Sequence, residues 1–184
     1  MTTTPALEHD HDPGSDAAAS RVAALETSAA EPIEAGAARI LVGTASWTDP
    51  TMTAAGVFYP KGADNAEERL AYYASSFPVV EVDATYYALP AERTAQLWAE
   101  RTPPDFTFDI KAHALMTGQG TETKRLPKAI REALPPEMQK KTRIYAKDVP
   151  AELNDEVWRT FRSALAPLEE RGQLGSILLQ YPKW

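Results

Sequence analysis

The chain contains no cysteine, so disulfides, cysteine-ligated metals and thiol catalysis are excluded. It has no stretch approaching the ~20 consecutive apolar residues of a bilayer-spanning helix. Met1 to Asp12 carries acids and histidines where a secretory signal would have an apolar core. A basic excess is also lacking. The 26 acids outnumber the 19 lysines and arginines, and the formal charge is −7. That sign disfavours a general affinity for nucleic acid or for an anionic membrane. These absences describe a soluble protein that suits a reducing compartment, and the expected location is the cytoplasm.

A chain of 184 residues with 43% hydrophobic content can bury one substantial core. Residues 1–38 contribute little to it. They hold Ala, Thr, Glu, Asp and Pro with scattered apolar positions, too few to offset the entropy of ordering them. They read as a disordered acidic, Ala-rich tail, with at most a weak helix over Ala17–Ala30. His9 and His11 lie beside Asp10 and Asp12 there. An isolated pair in such a tail is a poor metal site, so no metal is assigned and no cofactor is identified.

The pattern changes at Arg39, which opens a domain over residues 39–184. Ile40–Thr44 is a short apolar run that suits a buried strand. A loop through Ser46 and Trp47 leads to a helix over Ala66–Phe77, where Leu70, Tyr73, Ala74 and Phe77 share one face. Val79–Ala84 is a second strand. Ala91–Arg101 is a second helix, with Leu97 and Trp98 inward. Phe106–Lys111 is a third strand with strict alternation. A charged stretch, Thr117–Pro150, holds a helix over Lys128–Leu134 that Pro135 and Pro136 end. Ala151–Glu170 is a long helix with Leu153, Val157, Trp158, Phe161, Leu165 and Leu168 on one side. Gly172 stops it, and Ser176–Gln180 is a fourth strand. Strands alternate with helices and no hairpin signal joins neighbouring strands, so the expected class is α/β with a parallel sheet. A doubly wound sheet and a barrel both fit. No G-x-G-x-x-G fingerprint follows the first strand, which weakens a dinucleotide-binding version.

Strand parity locates a candidate site. Val80, Val82 and Ala84 share one face of the second strand, and Glu81, Asp83 and Thr85 the other. Phe106, Phe108 and Ile110 oppose Thr107, Asp109, Lys111 and His113. In a barrel the apolar side packs on helices, and the polar side lines the interior and opens at the strands' C-terminal ends. Glu81, Asp83, Asp109, Lys111 and His113 would then converge beside Gln180. Buried charges need partners, and pairing of Lys111 with Glu81 or Asp109 would supply them. The alternative for this cluster is a purely structural ion-pair network.

The same residues carry a family resemblance. Ile40–Trp47, Phe58-Tyr59-Pro60 and Leu70–Ala74 are similar to the opening of the YecE-like family, a domain of unknown function numbered 72 in its series. Val80–Tyr87 with Pro90, Phe108–Ala112 with Thr117, and Leu174-Gly175 through Gln180-Tyr181-Pro182 resemble its next three strand motifs. The resemblance implies a parallel (β/α)8 TIM-type barrel with its site at the C-terminal ends of the strands. It implies no reaction. Because that domain runs on past a fourth strand, the chain reads as its N-terminal half, truncated to about half a barrel and inactive alone. Four strands leave two open edges. These would pair with the missing half, or two copies would join.

The expected function is an enzyme, a hydrolase or isomerase, acting on a small polar or anionic substrate. Lys111 would hold the anion, and Glu81 and Asp109 would act as acid and base. Ser46, Trp47, Asp83, Thr85, Tyr87, His113 and Gln180 complete the proposed substrate contacts. Other readings are a non-catalytic module in which Trp47, Tyr59, Tyr86 and Tyr87 stack on a ligand, and a metal-assisted hydrolase using Glu81, Asp109 and His113. A phosphodiesterase-type barrel would use Lys124, Arg125, Lys128, Arg131, Lys140, Lys141 and Arg143. Interleaved acids make that run read as a solvated surface.

Overall fold

The computed structural model describes residues 31–183. The weak helix over Ala17–Ala30, the His9/His11 pair and most of the expected tail lie outside the described residues. Those described begin with an antiparallel hairpin, β1 (Ile33–Ala35) and β2 (Ala38–Ile40), with Ile33 opposite Ile40. The expected tail boundary at residue 38 therefore falls inside a hairpin. Gly36 makes its turn at φ 65°, a conformation that a Cβ would strain. Ala35, Ala37 and Ala38 carry no strand signal, which hid the hairpin from the sequence pattern.

Three strands of the central sheet follow: β3 (Gly43–Ala45), β4 (Val79–Val82) and β5 (Thr107–Lys111). A second antiparallel pair, β6 (Gly120–Glu122) and β7 (Arg143–Tyr145), branches off within the charged stretch. The chain then returns as β8 (Leu174–Leu178). The resulting mixed α/β fold has a four-stranded sheet of order β3-β4-β5-β8, with every neighbour parallel. Strand order never reverses along the chain. Since about 98% of parallel crossovers are right-handed, such an order keeps successive helices on one face.

Seven helices occur among the described residues: α1 (Pro50–Thr53), α2 (Ala66–Ala74), α3 (Ala84–Tyr87), α4 (Glu92–Glu100), α5 (Lys128–Ala133), α6 (Pro136–Gln139) and α7 (Ala151–Glu170). Asn65 starts α2 by accepting from the amides of Glu67 (3.0 Å) and Glu68 (2.9 Å). Glu68 completes the capping box by reaching back to the Asn65 amide. In α7, Val157, Phe161, Ala164, Leu165 and Leu168 are buried at the spacing of one helical face. Gly172, at φ 70°, ends that helix as expected. These helices and the strand residues Val80, Val82, Phe108 and Ile110 form one core. Each large apolar side chain buried there contributes roughly 1.5–3 kcal/mol.

Tyr73 joins α2 to the short edge strand. It is fully buried. Its hydroxyl accepts from the Thr44 amide (2.8 Å), lies 3.0 Å from the Thr44 hydroxyl and donates to the Val79 carbonyl (3.0 Å). It thus holds β3 against β4 beside Gly43, where a Cβ would run into the Val79 carbonyl.

Several expected boundaries move. Ile40, Leu41 and Val42 are 48%, 36% and 52% exposed, so the first parallel strand is Gly43–Ala45 and not Ile40–Thr44. Strand β4 stops at Val82: Asp83 takes a helical backbone and opens α3, so the strand parity does not reach Asp83 or Thr85. Trp158 is 46% exposed and Leu97 only half-buried, because the buried stripes of α7 and α4 run through Val157 and Trp98. Strand β8 begins at Leu174, and its register against β5 shifts by one residue between Phe108 and Ile110.

Tyr73→Phe should destabilise the fold by about 1–3 kcal/mol, because it leaves buried polar partners unpaired. Urea unfolding measures this, and a loss under about 0.5 kcal/mol would contradict the role given to the hydroxyl.

Candidate functional site

Parallel register places Glu81 beside Asp109, and Ala45 beside Glu81, on the face that the helices leave uncovered. The burial of β5 alternates as its sequence predicts. Phe108 and Ile110 are sealed, while Thr107, Asp109 and Lys111 are half-buried. Lys111 stands one side-chain layer above Asp109, toward the C-terminal end of the sheet.

The three expected catalytic residues have different surroundings. Asp109 Oδ1 accepts from both the amide and the hydroxyl of Ser176, each at 2.7 Å. This bridge satisfies β8 where its register shifts. It also requires Gly175, since a Cβ there would lie 2.6 Å from Asp109 Oδ1. The Glu81 carboxylate carries no hydrogen bond or ion pair from the described residues. Lys111 pairs with neither acid, contrary to the expected charge neutralisation, and Nζ lies 5.2 Å from the ring centroid of Tyr86.

The expected substrate contacts divide in the same way. Thr85 is buried, with its hydroxyl 2.9 Å from the Val82 carbonyl and 2.6 Å from that of Lys111. It stitches β4 to β5 and faces no ligand space. His113 is fully buried. Its Nδ1 accepts from the Leu115 amide at 3.4 Å, capping the 3-10 turn over residues 114–117. It does not reach the open face. Trp47 is buried edge-on to Trp98, with centroids 5.8 Å apart, so it offers no stacking surface. Tyr59 donates to the Trp47 carbonyl, and burial raises its hydroxyl pKa. Ser46 sits at the C-terminal end of β3 with a left-handed φ of 71°, strained for a serine. Its amide donates to the Glu81 carbonyl at 2.8 Å. Asp83 is half-buried, while Tyr87 and Gln180 are exposed.

Glu81, Asp109 and His113 are not gathered into a donor set, and among the described residues no group of three or more His, Asp or Glu side chains is placed to share a metal. The basic run is partly neutralised. Glu122 Oε2 holds Lys124 (3.2 Å) and Arg125 (3.3 Å), and Glu132 holds Lys128 (3.8 Å).

Around Lys111 the structure gathers residues that the strand pattern did not point to. Tyr86 and Tyr87 meet edge-to-face at 4.9 Å. The Tyr86 hydroxyl donates to Gln119 Oε1 at 2.6 Å, and Gln119 Nε2 donates to the Gln180 carbonyl at 2.7 Å. Arg125 lies 5.8 Å from the Tyr87 ring centroid. Desolvation raises the Tyr86 pKa, Tyr87 adds to the rise, and the Arg143 charge opposes it. The available signal was the alternation in Arg143-Ile144-Tyr145, where Ile144 is buried between two exposed residues.

Residues 41–184 match the family model described as protein of unknown function DUF72. The chain belongs to this family. It is 27% identical over 145 residues to the UPF0759 protein YunF of Bacillus subtilis (strain 168), a match covering 79% of this chain and 40% of that relative. The chain thus spans less than half the length of that curated relative. Two crystal structures of a DUF72 family protein from Enterococcus faecalis V583 also match. One has 24% identity, covers 61% of this chain and 35% of that one, and has a TM-score of 0.39. The other has 27% identity, covers 61% and 32%, and has a TM-score of 0.40. Among the described residues, no helix is long and apolar enough to cross a membrane.

Burial lowers the His113 pKa from 6.5 to about 4. Between those values the unfolded chain binds the extra proton, so stability is complete above 6.5 and falls as pH drops toward 4. The slope is at most about 1.4 kcal/mol per pH unit. His113→Gln should flatten this part of the profile in urea unfolding compared at about pH 7.5 and about pH 5, and an unchanged slope would contradict it.

Proposed function

We propose that this DUF72 protein acts on a small anionic substrate at the C-terminal end of its parallel sheet. Lys111 holds the negative charge, and Glu81 transfers the proton. The observation that carries this reading is a half-buried lysine that has no acid partner among the described residues, one layer above a carboxylate that accepts no hydrogen bond from them. An ammonium so placed is available to an incoming anion, and a free carboxylate beside it is available as acid or base. Asp109, expected to share that chemistry, is engaged by Ser176. Its role in this reading is to fix the wall next to Glu81. The reaction class that fits is a hydrolysis or an isomerisation initiated by proton transfer.

The sheet itself reads as part of a TIM-type barrel wall, as the YecE-like resemblance implies. Its unreversed strand order and single polar face support that architecture. So do the exposed apolar residues at its open edge, where Ile177, Leu178 and Leu179 are 38%, 38% and 41% exposed. Further parallel strands, from additional chain or from a second copy, would cover both edges and supply the other side of the mouth.

A non-catalytic binding module is the second reading, favoured by the Tyr86–Tyr87 pair beside Lys111. Screening small phosphorylated and carboxylated metabolites against the wild type, Lys111→Ala and Glu81→Gln separates the two. The enzyme reading predicts that Glu81→Gln keeps binding and the fold but loses at least about 100-fold in turnover, the scale of general acid–base catalysis. Lys111→Ala should lose binding. Ligand binding that depends on Lys111, with no turnover by the wild type, would leave only the binding module.

A further inference from the structure

We infer that the cleft between α3 and the β6–β7 hairpin is an oxyanion subsite, built to hold the phosphate group of a small ligand through Arg125 and Arg143. The inference deepens the proposed function, because Lys111 borders the same region, but its own residues lie outside the catalytic assignment.

The cleft has a volume of about 120 Å³ and is lined by Tyr86, Tyr87, Glu122, Arg125 and Arg143, together with the hairpin backbone. Sites for whole cofactors or drug-sized ligands run to roughly 300–1,000 Å³. This one suits a single tetrahedral head group, with the rest of the ligand extending over Lys111 and the open face of the sheet.

The chain as a whole is acidic at −7, yet cations gather here. Lys111 reaches the Tyr86 ring, Arg125 the Tyr87 ring, and the Arg143 charge acts on the Tyr86 hydroxyl. The acid in the lining is Glu122. In the ladder it stands opposite Arg143, but its Oε2 is held by Lys124 and Arg125. Among the described residues, Arg143 is left without an acid partner. Arg143 is exposed and lines the cleft with Tyr86 and Tyr87, and a planar guanidinium so placed is suited to a bidentate grip on phosphate.

The hairpin backbone also places Arg143. A Cβ at Gly120 would lie 2.9 Å from Arg143 Cδ and 2.9 Å from the Tyr145 ring. Glycine at that position lets the arginine stem lie across the ladder. The partner of stated chemistry is therefore a phosphorylated small molecule, since the cleft has room for one head group and the neighbouring Lys128 is paired with Glu132.

The test is a titration of the full chain with inorganic phosphate, read by tyrosine fluorescence and by calorimetry at fixed ionic strength. Saturable one-to-one binding is expected. Arg143→Gln and Arg125→Gln should each weaken it roughly tenfold or more, the scale of one lost charge-assisted contact, while Lys140→Gln, on the outer run, leaves it unchanged. Arg143→Lys, which keeps the charge and loses the fork, should fall between, and it stands in if the glutamine variant fails to fold by circular dichroism. Binding that never saturates, or that Lys140→Gln weakens as much as Arg143→Gln, would overturn the inference. So would preferential, steeply salt-dependent binding to a single-stranded oligonucleotide. Glu81→Gln should bind phosphate normally, so loss of turnover there and loss of phosphate binding here remain separate outcomes.

Discussion

Val80 and Val82 on β4 and Phe108 and Ile110 on β5 share a single core with the buried faces of α2, α4 and α7. That burial fixes the direction of every intervening residue, because side chains alternate along a strand. A slip of one residue would bring Glu81 and Asp109 under the helices and expose the apolar set. Parallel pairing then aligns the polar residues across strands, Ala45 with Glu81 and Glu81 with Asp109. The candidate site is thus a consequence of core packing. No dedicated loop is needed to place Glu81 beside Asp109, and only the upper layer, at Lys111 and Tyr86, depends on the connections beyond the strands.

The polar face is stabilised unevenly. Asp109 is committed to β8 through Ser176, and Gly175 leaves room for that bridge. Tyr73 and Thr85 make comparable stitches, the first between β3 and β4 and the second between β4 and β5. These buried hydroxyls let a sheet of short strands hold its register. The side chains of Glu81 and Lys111 have no such structural duty among the described residues, and Ser46, whose amide bonds the Glu81 carbonyl, is held in a strained conformation. Side chains without structural partners are the ones an incoming ligand can engage.

Much of this was legible in the chain itself. The period-two pattern of Phe106–Lys111 and the period of α7 depend on local sequence; the strand forms with its expected faces, and α7 buries Val157, Phe161, Leu165 and Leu168 as expected but leaves Trp158 exposed. The strand ends were not legible. Asp83 is as compatible with a strand continuing past Val82 as with the helical turn it enters, and the choice depends on Thr85 finding the Lys111 carbonyl across the sheet. His113 shares parity with Lys111 but leaves the strand and caps a turn. The β6–β7 hairpin escaped notice because Gly120-Thr121-Glu122 and Arg143-Ile144-Tyr145 are only three residues each, joined across a long helical insertion. The basic residues around it look like solvated surface in sequence, and only the ladder, which sets Arg143 opposite Glu122, brings it into the cleft that Tyr86 also lines.

The central claim is that Lys111 stands free on the uncovered face and is available to an anion. Its most direct test is acetylation of the native full chain with an amine-reactive ester, with each lysine's rate read by mass spectrometry. The account predicts that Lys111 reacts in the folded state and is selectively protected by a saturating phosphorylated ligand, while Lys140 is not. A Lys111 that stays unreactive until the chain unfolds, or that reacts with no protection by any anion, would contradict it.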